Sequence, residues 1–435
     1  MTKLFGTDGV RGIAGTELTA ELALSLGRAA AQEAEADRPQ VLILRDTRES
    51  GPMLEAALAA GVAEGGGDAL LAGVLPTPAA SVLVRRLGLD LGAVVSASHN
   101  PWQHNGIKFF GGDGRKLSDE LERRIEAHVA ESGAPSPAVG RVRSLKGALD
   151  DYVRELASKF QLDLAGKRII LDCANGATYR AAPIVFERLG AAVEVRADQP
   201  DGRNINEGCG STHPEALAEA IRAGDADLGF AFDGDGDRVI AVDPSGEIRD
   251  GDELIALCAT HLSRREALAG GVVVTVMSNY GFHAAMREAG IEVATTPVGD
   301  RHVSEQLTQR DWSLGGEQSG HIIWTEYAPT GDGIAAALLT MSALGDARLD
   351  AAIPMQKLPQ ILRNVQIADR GAIDDASAVW EAVETENSKL EGRGRVLVRP
   401  SGTEPLIRVM VEAPTAEESE QICERLVTLI DRELA

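Results

Sequence analysis

Three observations predict an α/β fold built from several domains. The chain has 435 residues, and single domains usually contain about 100–200 residues, so three or four domains are expected. One pattern of apolar strand, polar loop, helix, glycine and second strand occurs three times along the chain. From about Lys357 the order of the elements changes. Together these observations predict three consecutive related α/β domains and a smaller C-terminal α+β domain.

The three copies of the strand–helix–strand pattern begin at the apolar segments 41–44, 168–171 and 272–276. In each copy a glycine separates the helix from the second strand. Such a unit implies two parallel strands joined by a right-handed crossover. The copies lie on the order of 100–130 residues apart, which is too far for the turns of a solenoid and favours separate domains.

The C-terminal domain is predicted from a different order of elements. The pattern there indicates strand 364–367, helix 376–386, strand 394–398, strand 406–412 and helix 416–430. Segments that contain proline or glycine predict linkers at 131–143, at 243–251 and around Ile353–Pro354. We therefore expect four domains with the bounds 1–140, 141–245, 246–356 and 357–435.

The composition limits the partners and the compartment. A formal net charge of −23 repels phosphate backbones and anionic lipids, which argues against nucleic-acid and membrane partners. No apolar run approaches the ~18–20 residues of a membrane helix, and the N-terminus does not resemble a signal peptide. The four cysteines are widely spaced, so we expect free thiols in a reducing cytoplasm. An anionic substrate would require a local cluster of cations in so acidic a chain.

The strongest local signal is a loop with three aspartates at alternate positions, Asp233, Asp235 and Asp237. The interleaved glycines let the backbone curl, so that all three carboxylates can face one point. Such a cluster requires a cation, and its hard oxygen ligands suit Mg²⁺. A calcium EF-hand is excluded because its sixth position would be Arg238 and its twelfth Pro244. An acidic hairpin turn without a metal is the simpler alternative.

The second signal is a serine directly after an apolar strand. Ser98, His99 and Asn100 follow the segment 91–95, and α/β proteins place their active sites at the carboxyl ends of strands. Lys108 follows soon after and could supply a cation near the serine. Taken alone, a serine in a polar loop is usually only a loop residue.

Two more loops carry polar side chains between glycines or around a turn. The segment 315–321, with Glu317 and Ser319, suits the recognition of sugar hydroxyls. The segment 399–405 together with Arg408 combines two guanidiniums, two hydroxyls and a glycine-containing turn. This second combination can cradle a phosphate group. Either segment by itself could equally be a structural turn.

Nucleotide-binding motifs are absent from the sequence. Neither the P-loop pattern GxxxxGK[ST] nor a GxGxxG that opens a helix after a strand occurs. Phosphoryl transfer without a bound nucleotide indicates a phosphorylated side chain as the donor.

The four motifs together resemble the α-D-phosphohexomutase family, in the right order and over the whole chain. The segments that indicate the amino-sugar branch of this family are 5–12, 96–101, 204–206, 209–212, 298–301 and 316–321. Residues 102–104, His302 and the pair Arg399-Pro400 depart from the usual pattern of the family. These departures leave the main ligands intact and concern loop packing and sugar preference.

The resemblance implies four domains around a central cleft, with one motif from each. Ser98 would be a phosphoserine, and its phosphate would bind Mg²⁺ together with Asp233, Asp235 and Asp237. A sugar 1,6-bisphosphate would act as activator, and a homodimer is expected. The residues around the reacting group would be Arg11, His99, Lys108 and Arg238. Those that bind the rest of the substrate would be Asp300, Glu317, Ser319, Arg399, Ser401, Gly402, Thr403 and Arg408.

The implied activity interconverts glucosamine 6-phosphate and glucosamine 1-phosphate, for UDP-N-acetylglucosamine and cell-wall precursor synthesis. The alternative within the family is a phosphoglucomutase or phosphomannomutase activity. A third hypothesis is a non-catalytic phosphosugar-binding protein. The presence of Ser98, Lys108 and all three aspartates argues against this third hypothesis, because a binding protein needs no phosphorylatable serine.

Overall fold

A computed structural model describes residues 4–6, 8–130, 136, 138–367, 373, 376–400 and 406–434. The chain divides into two compact units. The first consists of Met1–Val276 and Glu292–Ile353, and the second consists of Met277–Ile291 and Pro354–Ala435. Three β-sheets belong to the first unit, and one belongs to the second.

The first sheet has six strands. These are β1 (Val10–Ile13), β2 (Gln40–Arg45), β3 (Asp68–Val74), β4 (Leu91–Val95), β5 (His104–Gly111) and β6 (Val142–Ser144). Their order in the sheet is β1-β5-β4-β2-β3-β6. Strands β2, β3, β4 and β6 run parallel, whereas β5 is antiparallel to both β4 and β1. Strand β6 pairs with β3 at the edge of this sheet. The last residues of the predicted linker 131–143 therefore belong to an edge strand.

The second sheet has five strands and the third has four. The second sheet comprises β7 (Arg168–Asp172), β8 (Ala192–Arg196), β9 (Leu228–Phe232), β10 (Val239–Val242) and β11 (Ile248–Arg249), in the order β11-β10-β9-β7-β8. The third comprises β12 (Val272–Thr275), β13 (Val293–Thr296), β14 (Leu314–Gly316) and β15 (Ile322–Trp324), in the order β13-β12-β14-β15. Strand β11 lies inside the predicted linker 243–251, where it forms a short hairpin with β10.

The three sheets repeat one arrangement of four strands. The four strands are β2 to β5 in the first sheet, β7 to β10 in the second and β12 to β15 in the third. The first of the four pairs in parallel with the second on one side and with the third on the other. The fourth strand is antiparallel to the third. The shared strand order confirms the prediction of three related α/β domains. Strands β4, β9 and β12 are buried along their whole length, as expected for strands covered on both faces.

The helices of the chain alternate with these strands. They are α1 (Ala20–Glu33), α2 (Gly51–Glu64), α3 (Pro78–Leu87), α4 (Asp119–Ala130), α5 (Ala148–Phe160), α6 (Thr178–Arg188), α7 (Glu215–Ala223), α8 (Gly251–Arg264), α9 (Tyr280–Glu288), α10 (Asp300–Arg310), α11 (Gly333–Leu344), α12 (Leu349–Ala352), α13 (Ser377–Lys389) and α14 (Ala416–Leu434). Among the described helices, none combines the length and the hydropathy needed to cross a membrane.

The second unit contains the predicted C-terminal α+β domain. Its three strands are β16 (Gln360–Gln366), β17 (Arg395–Pro400) and β18 (Leu406–Glu412), which pair antiparallel in the order β16-β18-β17. Helix α9, the predicted crossover of the third repeat, also belongs to this unit. The amide of Asn279 explains this grouping, because it exchanges two hydrogen bonds of 3.0 Å with the backbone of Leu358.

Helices α1 and α2 approach each other closely because a glycine lies at each contact point. A Cβ atom on Gly61 would lie 1.9 Å from the carbonyl oxygen of Leu24, and one on Gly27 would lie 2.2 Å from that of Leu58. Real Cβ atoms do not approach a carbonyl oxygen so closely. These two glycines therefore set the separation of the helices.

We expect Gly61→Ala to destabilise the protein, although alanine has the higher helix propensity. Propensity alone would stabilise helix α2 by about 1 kcal/mol, whereas forcing a methyl group into a packed contact costs about 1–3 kcal/mol. The midpoint of thermal unfolding should therefore fall. The matched control is Ala60→Gly on the exposed side of the same helix, which should lose about 1 kcal/mol from propensity. A higher midpoint for Gly61→Ala would show that the helices can separate without cost.

Candidate active site

Three loops carry the polar motifs, and they occupy the same position in the three sheets of the first unit. The serine loop (residues 96–103) joins β4 to β5, the aspartate loop (233–238) joins β9 to β10, and the glutamate loop (317–321) joins β14 to β15. Each loop follows the carboxyl end of a parallel strand and leads into an antiparallel strand. Ligand sites of α/β proteins form at such strand ends.

The three loops meet through direct contacts. The hydroxyl of Ser98 donates a hydrogen bond of 2.5 Å to Oδ2 of Asp233. Between the aspartate and glutamate loops, Nδ1 of His321 lies 3.6 Å from Oδ2 of Asp237. The backbone N–H of Val239 donates to the carbonyl of Gly320 at 3.1 Å. Motifs that are far apart in the sequence thus form one cluster.

The three aspartates of the aspartate loop face a common point. One carboxylate oxygen from each of Asp233, Asp235 and Asp237 lies within 4.8 Å of the others, and all three residues are buried. The glycines between them allow this curl. Gly236 has a φ of +73°, and a Cβ atom on Gly234 would lie 2.7 Å from the carbonyl oxygen of Ser98.

The charge of this cluster is only partly balanced by the protein. Burial raises the pKa of Asp233 well above its usual range, and repulsion from Asp237 and Asp235 adds to the effect. Burial also acts on Asp235, but the ammonium of Lys108 and the hydroxyl of Thr77 outweigh it and lower the pKa of that carboxyl. The guanidinium of Arg238 lowers the pKa of Asp233, but it does not outweigh burial and the two neighbouring carboxylates.

The aspartate loop fits a divalent cation. Within the part of the chain that the structure describes, Oδ1 of Asp235 and Oδ1 of Asp237 are buried and have no hydrogen-bond partner. Buried carboxylate oxygens without a partner are costly. A metal ion would supply the missing partner, and three carboxylates are hard oxygen ligands of the kind that Mg²⁺ binds.

Ser98 adopts an unusual backbone conformation at the end of β4. Its φ is +52°, a left-handed value that few residues other than glycine adopt. The residue is buried, and its hydroxyl lies 3.4 Å from Nδ1 of His99. Burial lowers the pKa of His99 to about 4, and the guanidiniums of Arg238 and Arg11 contribute. The imidazole is therefore neutral at pH 7 and can accept a proton.

Lys108 lies among three carboxylates, one of them Asp237 at 3.8 Å, and Lys116 lies between two. The ammonium of Lys108 is 2.9 Å from Oδ2 of Asp235 and 3.0 Å from Oδ2 of Asp8. The ammonium of Lys116 pairs with Asp8 and Asp300. Burial opposes the charge of both ammonium groups, but the carboxylates outweigh it and raise the pKa of each lysine. Both side chains are therefore fixed cations beside the cluster.

Two arginines extend the positive charge next to the aspartates. Burial of Arg238 is outweighed by Asp237 and Asp233, which raise the pKa of its guanidinium. Its Nε atom is buried, lies 3.9 Å from Oδ1 of Asp237 and has no hydrogen-bond partner among the described residues. Arg11, on strand β1, donates from its side chain to the carboxylate and the backbone carbonyl of Asp8.

The glutamate loop presents side chains of different exposure. Glu317 is half-buried, and its Oε1 accepts a hydrogen bond of 3.0 Å from the backbone N–H of Gly299. Ser319 is exposed. Asp300, the first residue of α10, pairs with Lys116 and lies 3.7 Å from Nε2 of His321. Asp300 is thus connected to Asp237 through His321, whose two ring nitrogens lie 3.7 and 3.6 Å from the two carboxylates.

The predicted phosphate-binding residues belong to the second unit. Arg399 on β17 lies directly opposite Arg408 on β18 in the antiparallel register. Burial lowers the pKa of Arg399, and the charge of Arg408 adds to this effect. Neither guanidinium has a carboxylate partner among the described residues. Ser401, Gly402 and Thr403 lie outside the described residues.

Four residues of the cluster were given no role from the sequence, namely Asp8, Thr77, Lys116 and His321. The hydroxyl of Thr77 donates to Oδ2 of Asp235 at 2.7 Å. Burial of His321 is outweighed by Asp237, which raises the pKa of the imidazole to about 9. Asp8 and His321 stand inside motifs that the sequence presents, but Thr77 and Lys116 carry no motif that would have identified them.

Family models match successive parts of the chain. Their descriptions are phosphoglucomutase/phosphomannomutase alpha/beta/alpha domain I for residues 2–135, domain II for 150–246 and domain III for 250–361. The C-terminal domain of the same family matches residues 362–429. Together these models cover most of the sequence.

Full-length relatives and solved structures agree with these matches. A phosphoglucosamine mutase of Desulforudis audaxviator is 52% identical, with 100% of both chains covered. A phosphoglucosamine mutase of Nocardioides is 48% identical, also with 100% of both chains covered. The crystal structure of a phosphoglucomutase/phosphomannomutase family protein from Burkholderia thailandensis matches with a TM-score of 0.83 at 25% identity, covering 100% of this chain and 98% of its own. The chain belongs to the phosphoglucomutase/phosphomannomutase family.

Proposed function

We propose that the chain is a phosphoglucosamine mutase that interconverts glucosamine 6-phosphate and glucosamine 1-phosphate through a phosphorylated Ser98. The observation that carries this proposal is the hydroxyl of Ser98, which lies 2.5 Å from Asp233 in a buried cluster of three carboxylates. A serine that only shaped a loop would not need a metal-binding cluster beside its hydroxyl. The names of the similar relatives support the choice of the amino sugar.

The aspartate loop would hold Mg²⁺ through Asp233, Asp235 and Asp237, together with an oxygen of the phosphate on Ser98. The unpartnered carboxylate oxygens and the raised pKa of Asp233 support this assignment. When bound, the ion neutralises the charge that spreads over the oxygens of a transferring phosphoryl group.

The reaction would consist of two phosphoryl transfers, in each of which one bond to phosphorus forms while another breaks. In the first, a sugar hydroxyl forms a bond to the phosphorus of phosphorylated Ser98 while the bond from phosphorus to the serine oxygen breaks. The hydroxyl proton passes to a base, the departing serine oxygen takes up a proton, and a sugar 1,6-bisphosphate results. The bisphosphate turns end over end. In the second transfer the serine hydroxyl loses its proton and forms a bond to the other phosphorus, while the bond from that phosphorus to the sugar oxygen breaks and the sugar oxygen takes up a proton. The same bisphosphate, supplied from outside, would act as activator by phosphorylating Ser98.

Of the residues around Ser98, His99 would accept a proton, and Lys108, Arg11 and Arg238 would act as fixed cations. His99 is neutral at pH 7 because burial lowers its pKa to about 4, and its ring lies close enough to exchange a proton at the reacting oxygen. Lys108 is held as a cation by Asp235 and Asp8. With Arg11 and Arg238, it would stabilise negative charge on the phosphoryl oxygens.

Other residues would hold the parts of the substrate that do not react. Glu317, Ser319 and Asp300 would contact the sugar. The second phosphate would be bound by Arg399, Ser401, Gly402, Thr403 and Arg408. The direct opposition of Arg399 and Arg408 supports this assignment, because like charges opposite each other in a sheet are destabilising unless an anion lies between them.

We include in the proposal the domain bounds 1–140, 141–245, 246–356 and 357–435, a homodimer and a cytoplasmic location. The four cysteines support the location, because all of them are free and buried, as expected in a reducing compartment. The product would be used for the synthesis of UDP-N-acetylglucosamine and cell-wall precursors.

A second candidate is a phosphoglucomutase or phosphomannomutase activity, which the descriptions of the family models favour. The two candidates are separated by substrate preference. With purified protein, Mg²⁺ and a catalytic amount of glucose 1,6-bisphosphate, we expect kcat/KM for glucosamine 6-phosphate to exceed that for glucose 1-phosphate at least ~10-fold, or about 1.4 kcal/mol of discrimination. A preference for glucose or mannose phosphates would assign the chain to the sister activity.

Ser98→Ala should abolish turnover, because no atom remains to carry the phosphoryl group. Incubation of the unsubstituted protein with ³²P-labelled glucose 1,6-bisphosphate should label Ser98, and peptide mapping would locate the label. Ser158→Ala, which removes an exposed hydroxyl of helix α5 outside the proposed site, should still be labelled. Turnover of Ser98→Ala at the normal rate would contradict the phosphoserine mechanism.

Asp237→Asn should weaken Mg²⁺ binding at least about 10-fold, because it replaces a charged oxygen ligand by a neutral one. Isothermal titration calorimetry of the metal alone would measure this loss without reference to activity. Asp113→Asn is the control, because Asp113 is an exposed carboxylate outside the cluster. Equal affinities for the two variants would show that the ion is not held by the aspartate loop.

A further inference from the structure

The backbone of the serine loop requires an external constraint. Ser98 keeps a left-handed φ of +52° although it carries the side chain that must point at Asp233. Conformations of this kind persist only where the surrounding structure holds them. The groups that hold this loop therefore contribute to the position of the Ser98 hydroxyl.

Arg48 is the main group that holds the loop. It is fully buried, with 0% of its side chain exposed, and a guanidinium has five N–H groups. Its Nε donates to Oδ2 of Asp46 at 2.8 Å. The other four N–H groups all donate to backbone carbonyls, those of Ser98, Asn100, Pro101 and His104. Every donor of this side chain is thus used: three of the five act on the serine loop, and a fourth acts on His104, the first residue of β5.

Asp46 extends the same network to the other side of the loop. Its Oδ2 also accepts a hydrogen bond of 2.6 Å from the hydroxyl of Ser96. That hydroxyl in turn accepts a hydrogen bond of 3.0 Å from the backbone N–H of Ser98. The carbonyl and the N–H of Ser98 are therefore both tied to the Asp46–Arg48 pair.

Asn206 acts on the loop from the second α/β domain. Its side-chain Nδ2 donates to the carbonyls of Ser98 and Asn100 at 3.0 and 3.3 Å. It also packs against the aspartate loop, since a Cβ atom on Gly234 would lie 2.7 Å from Nδ2. One amide group thus connects the loop that carries the nucleophile with the loop that carries the aspartates.

We propose that Arg48 and Asn206 are positioning residues, which hold the backbone of the serine loop so that the Ser98 hydroxyl stays beside the aspartates in both transfers. The inference rests on the proposed role of Ser98 in phosphoryl transfer. Because the guanidinium of Arg48 has no free donor, it does not bind the phosphoryl group. This distinguishes it from Arg238, whose buried Nε has no hydrogen-bond partner among the described residues and lies 3.9 Å from Oδ1 of Asp237.

The alternative is that the two residues only stabilise the fold. A lysine in place of Arg48 has three donors and cannot serve five acceptors, and Asn206→Ala removes only the two bonds to the loop. Asn206→Asp keeps the shape but points a carboxylate at two carbonyls. A positioning role predicts a loss in kcat, whereas a purely structural role predicts a loss in thermal stability alone.

The experiment compares Arg48→Lys, Asn206→Ala and Asn206→Asp with the control Arg28→Lys. Arg28 is also largely buried and pairs with Glu64 in the same domain, but it does not contact the serine loop. We expect kcat of the first three variants to fall about 10- to 100-fold, while KM changes by less than about 3-fold. Labelling of Ser98 by ³²P-glucose 1,6-bisphosphate should slow in parallel. The control should lose thermal stability without this change in kcat.

The outcomes separate this inference from the proposed function. Wild-type protein that takes no label on Ser98 would overturn the proposed function and the inference with it. If the wild-type protein takes the label on Ser98 but the variants have the same kcat as the control, the inference is overturned and the proposed function is not. Should Arg48→Lys fail to fold, the two Asn206 variants decide the question, because they break only contacts between loops.

Discussion

The burial of three carboxylates in one loop is the constraint on which the rest of the site depends. Asp233, Asp235 and Asp237 repel one another where water cannot screen them, so neighbouring groups must supply positive charge or hydrogen bonds. Lys108 and Arg238 supply part of the charge. The Ser98 hydroxyl completes the contacts of Asp233. A divalent ion would balance what remains, which links the stability of the loop to the chemistry proposed for it.

Much of the fold follows from local patterns of the sequence. The repeated strand, helix and glycine predict the parallel pairs β2/β3, β7/β8 and β12/β13, because apolar strands that alternate with helices favour crossovers. The edge strands β6 and β11 were predicted as linkers, since strands of two or three residues acquire their structure from the partner strand. The grouping of α9 with the C-terminal domain depends on contacts of Asn279 that no local pattern shows.

The candidate site was predictable where chemistry requires a rare local pattern. Asp233, Asp235 and Asp237 with their glycines form such a pattern, and so does Ser98 after an apolar strand. Arg48 and Thr77 were not predictable, because their importance comes from what lies opposite them in the fold. In the sequence, nothing distinguishes a single arginine after a strand that is buried and holds a loop from one that is exposed at the surface.

The common position of the three loops has a consequence for how such a protein can evolve. Each loop joins the third and fourth strands of the repeated four-strand arrangement, while the pairing of the strands around it depends on their own apolar residues. Substitutions in one loop would therefore alter the proposed nucleophile, the proposed ion site or the proposed sugar contact while leaving the register of all three sheets in place. The repeated arrangement thus supplies three loops for one site, and each can change without altering the strand pairing of its own sheet.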